Sequence, residues 1–205
     1  MTKPQTGCLH DYELSPQDLK TLSKANIFIA NGAGMESFLD KILTDYSNID
    51  VIDSSDGIKL LCDEHDDDTD ESHEGHEHAV NPHVWVSISK NIEQVQNIAN
   101  ALSKADSENS EKYQENAKAY IAKLQDLSAE MHKELDSLPN RKIVTFHEAF
   151  PYFAEEFNLD IVGVIEVEPD SEPSAKQVEN VIETIKSNNV SALFTEPQYS
   201  SKIAN

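Results

Sequence analysis

The fold is indicated most clearly by residues 26–53, which read NIFIANGAGMESFLDKILTDYSNIDVID. Asn26–Ala30 is a short apolar run that is typical of a buried strand, and residues 31–34 predict a tight turn. Met35–Tyr46 has apolar residues at helical spacing, and Asp50–Asp53 predicts a second strand. A strand, a helix and a strand at this spacing indicate a parallel α/β sheet.

The same alternation appears on both sides of this stretch. Ser15 and Pro16 carry the pattern of a helix start, with serine as the cap and proline in the first turn. Beyond Pro139 the sequence predicts further strands and helices: strands over 142–146, 159–165 and 190–195, and helices over 148–157 and 174–187. We therefore expect a second α/β unit in the last third of the chain.

Two helices are predicted between these units. The first covers residues 87–102. The second has apolar residues three or four apart from Tyr113 to Leu138, and such a helix of roughly 30 residues would be about 45 Å long. A helix of that length is better explained as a connection between two lobes. We divide the chain into an N-terminal α/β lobe (1–86), a helical segment (87–138) and a C-terminal α/β lobe (139–205).

Charge restricts the class of partner. The chain has 38 Asp and Glu against 16 Lys and Arg, a net charge of −22. This charge argues against binding to nucleic acid or to anionic lipid and is compatible with cationic ligands. No run of apolar residues is long enough to span a membrane, and the first residues do not form a signal peptide. The chain is therefore either cytoplasmic or preceded by a targeting segment outside this sequence.

Residues 63–78 form an acidic, histidine-rich tract that reads DEHDDDTDESHEGHEH. It lies in a predicted loop over 63–80 and cannot bury a core face. Imidazoles and carboxylates are metal ligands, so the tract predicts metal contact, although a solvated acidic linker is the alternative. Its histidines are His65, His73, His76 and His78.

Two cysteines, Cys8 and Cys62, occur far apart and outside any CxxC pair. A cysteine-based zinc site is therefore not expected. The sequence leaves open whether the two form a disulfide or remain thiols.

Three histidines outside the tract are the better candidates for a defined site. His10 precedes the first helix, His83 lies where a loop enters a helix, and His147 directly follows the strand over 142–146. Ligands of parallel α/β sheets bind at the carboxyl ends of the strands, where His147 is expected. His132, on the long helix, is interpreted as a solvated residue. The chain has no GxSxG, GxGxxG or P-loop pattern to indicate other chemistry.

Several short motifs, in order along the chain, resemble the metal-binding solute-binding proteins of ABC importers, in particular the zinc-uptake type. They are HDYELSP at 10–16 with NGAGME at 31–36, NPHVW at 81–85, FHEAF at 146–150 with YF at 152–153, EP at 168–169 with EPSA at 172–175, and FTEPQ at 194–198. The resemblance covers nearly the whole chain, from about His10 to its end.

The resemblance implies two Rossmann-like lobes with parallel sheets, joined by one long backbone helix, with a metal in the cleft between them. His10 and His83 would be ligands from the first lobe, and His147 a ligand from the second. Manganese-selective members tend to have a carboxylate in place of His147, so its imidazole favours zinc. The tract would be the mobile accessory loop of the zinc-uptake branch.

Two departures from the family pattern lead us to expect a chain shortened at both ends. Only nine residues precede His10, and the chain ends before an Asp that often completes the family's site. The fourth ligand is then water, a tract residue or Glu196. We expect Glu196 rather to hydrogen-bond a ligated histidine.

The expected function is high-affinity zinc binding outside the cytoplasm, in the periplasm or with a lipid anchor at the cell surface. The protein would deliver the ion to the membrane permease of an ABC importer, as a monomer that is not an enzyme. A zinc hydrolase is the alternative, since three histidines with an open position also hold catalytic zinc. The HExxH pattern that would support it is missing, because Pro151 stands at the position of the second histidine. A zinc buffer acting through the tract is the third interpretation.

Overall fold

The computed structural model describes residues 12, 14–39, 42, 48–62, 80–165, 174–190 and 192–195. The helices are α1 (Pro16–Leu22), α2 (Ile88–Ala105), α3 (Ser110–Leu135), α4 (Pro151–Phe157) and α5 (Ala175–Asn188). The strands are β1 (Ile27–Ala30), β2 (Asp50–Asp53), β3 (Lys142–Thr145), β4 (Asp160–Val164) and β5 (Ala192–Phe194). Short 3-10 turns cover Ser37–Leu39, Val84–Val86 and Ser107–Asn109.

The strands form two parallel sheets, as predicted. In the first half of the chain β1 pairs with β2, with Ile27 opposite Asp50. In the second half the strand order is β4-β3-β5, with β3 in the centre. The predicted strand at 50–53 coincides with β2, and the other predicted strands extend one or two residues beyond the observed ends.

The helix starts agree with the sequence where a capping residue marks them. Ser15 and Ser174 cap α1 and α5, each in a reciprocal capping box with the residue three positions later. The helix predicted from Glu148 instead begins at Pro151. Proline disfavours helical backbone in the residue before it and suits the first helical turn, so residues 148–149 form a turn ahead of the helix.

The helix predicted over Met35–Tyr46 is only partly within the described residues. There, the chain first makes a turn and then the 3-10 turn Ser37–Leu39. The backbone φ is positive at Gly32, Ala33 and Gly34. A β-carbon at Gly32 would lie 1.8 Å from Oδ1 of Asp53, so this turn requires glycine.

The long helix α3 has 26 residues and is therefore about 39 Å long. It packs on α2 and buries Ala117, but Tyr120 and Leu127 of the predicted apolar row remain exposed. The prediction extended it too far, since Leu138 follows its last turn. His132 is 40% exposed at its side chain, as its interpretation as a solvated residue requires, and its ring lies 4.8 Å from that of Phe157 on α4.

Helix α4 joins the two halves of the molecule. The Glu156 carboxylate accepts hydrogen bonds from Ser87 Oγ at 2.6 Å and from the Ser89 N–H at 3.2 Å, at the N-terminus of α2. Tyr152 is fully buried in an apolar cluster with Ala33, Ile58 and Val84 from the first half of the chain. A second cluster lies around the three-stranded sheet and contains Val144, Phe146, Ile165 and Val181. In the described ranges, no helix is both long and apolar enough to cross a membrane.

Candidate metal centre

Two of the three predicted ligands meet in the fold. The rings of His83 and His147 have centroids 4.8 Å apart and lie edge to face at 89°. His83 precedes the 3-10 turn Val84–Val86 and is only 4% exposed. His147 lies two residues beyond the last residue of β3 and is half-buried, at the carboxyl edge of the sheet as predicted. Imidazoles at this separation can both face one cation.

The loop that carries His83 is held by Asn81, which is 1% exposed. Oδ1 of Asn81 lies 3.0 Å from the backbone nitrogen of His83 and 3.0 Å from its Nδ1. The Asn81 Nδ2 group donates to the carbonyl oxygen of Glu148 at 2.8 Å, in the loop of His147. The Tyr152 hydroxyl donates to the Asn81 carbonyl at 2.7 Å and accepts from the Leu61 N–H at 3.0 Å.

A polar network at the ends of β1 and β2 supports the same loop from the other side. Nδ2 of Asn31 donates to the carbonyl oxygen of Pro82 at 2.9 Å. Nε2 of Gln94, on α2, lies 3.0 Å from both the Asn31 Oδ1 and the Ser54 Oγ. The Glu36 carboxylate accepts from the Asn31 N–H at 2.7 Å. These contacts hold the turn after β1 against the peptide bond that precedes His83.

The remaining predicted site residues lie outside the described residues. They are His10, Glu196 and the tract histidines His65, His73, His76 and His78. Cys8 lies outside as well. Cys62 has an exposed thiol, and its backbone forms an antiparallel β-bridge with Val80. Within the described ranges no group of three His, Cys, Asp or Glu side chains could hold a metal. The described part of the candidate centre is therefore the pair His83 and His147.

The sequence reasoning missed the residues that hold this pair. Asn81 and Tyr152 both belong to segments that carried the family resemblance, but only their histidine neighbours were assigned roles. An asparagine two residues before a histidine ligand is a usable signal, because a metal-bound imidazole commonly donates its second nitrogen to an oxygen. Nothing local in the sequence indicates that Tyr152 reaches Asn81.

The whole chain, residues 1–205, matches the family model described as ZnuA, zinc-uptake complex component A, periplasmic. The chain belongs to this family. It is 31% identical over 208 residues to the zinc-binding protein AdcA of Streptococcus pyogenes serotype M3, with 95% of this chain and 40% of that protein covered. It is also 31% identical over 189 residues to the manganese-binding lipoprotein MntA of Halalkalibacterium halodurans, covering 91% of this chain and 59% of that protein.

The fold of this ZnuA-family chain is similar to a solved crystal structure of ZnuA. The TM-score is 0.82 at 35% identity, with 98% of this chain and 75% of that chain covered. The predicted α/β architecture of two lobes with parallel sheets, joined by a long helix, is confirmed by this match. The chain spans less than two thirds of the length of the AdcA and MntA relatives that it matches.

Proposed function

We propose that this ZnuA-family chain is a zinc-binding receptor that works outside the cytoplasm and delivers Zn(II) to the permease of an ABC importer. The observation that carries this proposal is the approach of His83 to His147, with ring centroids 4.8 Å apart on loops from the two halves of the chain. The net charge of −22 favours a cationic ligand over a nucleic acid. Membership of the zinc-uptake family supports the same function.

The proposed ligands are His10, His83 and His147. Three neutral imidazoles and one oxygen form the tetrahedral set that zinc accepts. The oxygen would come from water, from a residue of the tract or from Glu196, unless Glu196 acts as the hydrogen-bond partner of a ligated histidine. His10 and Glu196 lie outside the described residues, so their placement in this set is part of the proposal.

Zinc is proposed over manganese because of the donor atoms. Imidazole nitrogen suits zinc, whereas manganese prefers carboxylate, carbonyl and water oxygens. The relatives include a protein named for manganese as well as one named for zinc, so the metal has to be measured directly.

The other parts of the proposal concern the tract and the organisation of the chain. The four tract histidines would collect zinc weakly next to the site and would not form the site itself. The lobes would cover residues 1–86 and 139–205, with the helical segment 87–138 between them, in a monomeric protein that performs no catalysis.

A competition titration with a zinc-sensitive dye tests the proposal on four proteins: the wild type, His83→Ala, His147→Ala and His132→Ala. We expect His83→Ala and His147→Ala to bind zinc about 100-fold or more weakly than the wild type, because each removes a proposed ligand from a tetrahedral site. His132→Ala is the matched control and should bind as the wild type, since His132 lies on α3 and contacts Phe157. Equal tight binding by His83→Ala and the wild type would refute the assignment.

Deletion of residues 63–78 separates the receptor from a zinc buffer. The receptor keeps its tight site after the deletion and loses only weak binding. Loss of all tight binding would instead assign the function to the tract. Ester or amide hydrolysis that rises with zinc occupancy, measured on the same samples, would favour a hydrolase.

A further inference from the structure

We infer that Asn81 is a positioning residue that selects the tautomer of His83 and sets its place opposite His147. The inference rests on the proposed function for its consequence in zinc binding, although the tautomer itself does not depend on zinc. The Asn81 side chain is buried, and the two ends of its amide contact different partners.

The orientation of the Asn81 amide follows from its backbone partners. A backbone N–H can only donate, and that of His83 lies 3.0 Å from one end of the amide. A backbone carbonyl can only accept, and that of Glu148 lies 2.8 Å from the other end. The first end must therefore be Oδ1 and the second Nδ2, since a flipped amide would place two donors together at one end and two acceptors together at the other.

This orientation decides which nitrogen of His83 carries the proton. Nδ1 of His83 lies 3.0 Å from Oδ1 of Asn81, and an amide oxygen is only an acceptor. Nδ1 must therefore be the donor. In a neutral imidazole the lone pair is then on Nε2, which becomes the metal-binding atom. Asn81 is 1% exposed and His83 4% exposed, so bulk water cannot readily replace this contact.

The other end of the amide connects the tautomer to the geometry of the pair. Its hydrogen bond to Glu148 joins residues 67 positions apart and ends on the residue that follows His147. The Asn81 backbone is held as well, because the buried Tyr152 hydroxyl donates to its carbonyl. Asn81 thus holds the ring of one proposed ligand while it contacts the loop of the other. A substitution of Asn81 should change both the ring nitrogen of His83 that carries the proton and the position of the His83 ring.

The tautomer can be measured directly in metal-free protein by long-range proton–nitrogen NMR of the histidine rings, at about pH 8 where an ordinary imidazole is neutral. The His83 signals are assigned by their loss in a His83→Gln variant. We expect the wild type to carry its ring proton on Nδ1. Asn81→Asp keeps an acceptor and should keep that tautomer, whereas Asn81→Leu should lose it.

Zinc affinity of the same variants tests the consequence. Asn81→Leu should bind zinc about 10- to 100-fold more weakly than the wild type, the usual effect of removing the hydrogen-bond partner of a metal-bound histidine. The matched control is Asn91→Leu. This substitution also removes an amide near the site, since Nδ2 of Asn91 donates to the backbone carbonyl of Trp85 at 3.2 Å. Unlike the Asn81 amide, that of Asn91 does not contact the His83 ring. Asn91→Leu should keep both the tautomer and the affinity.

Each result decides between the inference and the proposed function. A wild-type ring with its proton on Nε2 would overturn the inference without any variant, so failure of Asn81→Leu to fold leaves the test intact. An unchanged tautomer or unchanged zinc affinity in folded Asn81→Leu would overturn it too. If the wild type shows the Nδ1 proton but binds no zinc tightly, the tautomer assignment stands and the proposed receptor function falls.

Discussion

The two sheets of the molecule are stabilised by different kinds of contact. The two-stranded sheet β1–β2 leaves Ile29 and Val51 exposed, at 43% and 50%. The three-stranded sheet buries Val144 and Phe146 to 1% exposure in an apolar cluster with α5. In the first half, side-chain hydrogen bonds connect the strand ends to α2, through Gln94 in particular.

This difference indicates that the two halves contribute differently to stability and to the placement of the site. Apolar burial is roughly proportional to area and not directional, so the second sheet contributes mainly stability. Buried hydrogen bonds are directional, and a fully satisfied network specifies one geometry. The network of Asn31, Ser54 and Gln94 ends on the carbonyl of Pro82, next to His83. The first half therefore provides precise placement at the proposed metal centre. Two predictions test this contrast, and a third compares the capping boxes of α1 and α5 in the two halves.

The largest expected effect is on the apolar cluster. Phe146→Ala should lower the free energy of unfolding by about 3–5 kcal/mol, because it leaves a cavity in a packed core. Val51→Ala, the matched change on the exposed face of the first sheet, should cost less than about 0.5 kcal/mol. Urea unfolding of metal-free protein measures both. Similar losses for the two variants would contradict the contrast between the sheets.

An intermediate effect is expected for the polar network. Gln94→Leu leaves the half-buried Oδ1 of Asn31 and the buried Oγ of Ser54 without their donor and should lower the free energy of unfolding by about 1–3 kcal/mol. Gln96→Leu is the control on the same helix. Its amide donates to the exposed Asn100 at 3.0 Å and to the half-buried Gln114 at 3.2 Å, and partners near the surface can bond water instead. A Gln94→Leu variant as stable as Gln96→Leu would show that the network contributes geometry without stability.

The smallest effect concerns the two capping boxes and their dependence on pH. Ser15→Ala and Ser174→Ala should each cost about 1 kcal/mol at neutral pH. The third helical residue is Asp18 in the first box and the uncharged Gln177 in the second. Hydrogen bonds from the Ser15 side chain and backbone hold the pKa of Asp18 below its usual range.

The direction of the pH effect follows from that lowered pKa. A carboxyl with a lowered pKa in the folded protein stabilises it above the ordinary pKa of aspartate, about 3.9. That contribution disappears as the pH falls through the lowered value. The cost of Ser15→Ala should therefore shrink between pH 7 and pH 3, while that of Ser174→Ala stays constant. Thermal unfolding at the two pH values measures this, and equal changes for both variants would count against it.

Local signals in the sequence were sufficient for most of the secondary structure. The strand at 50–53, the capped start of α1 and the start of α5 to within one residue were predicted because apolar runs, periodicity and the capping Ser15 act within a few residues. The helix predicted from Glu148 began three residues too early because the effect of Pro151 on the residue before it was overlooked. His83 and His147 were identified as candidates from motif and strand position, and the structure brings them together.

The sequence by itself determined the order of helices and strands, the α/β class and the resemblance to the zinc-uptake family. Only the tertiary structure decided how the proposed ligands are held. Asn81 contacts Glu148 and Tyr152 across 67 and 71 positions of the chain, and no local pattern specifies such partners. The physical reason is burial. Once packing removes water from the site, each polar group must find a protein partner, and which partner it finds depends on the fold around it.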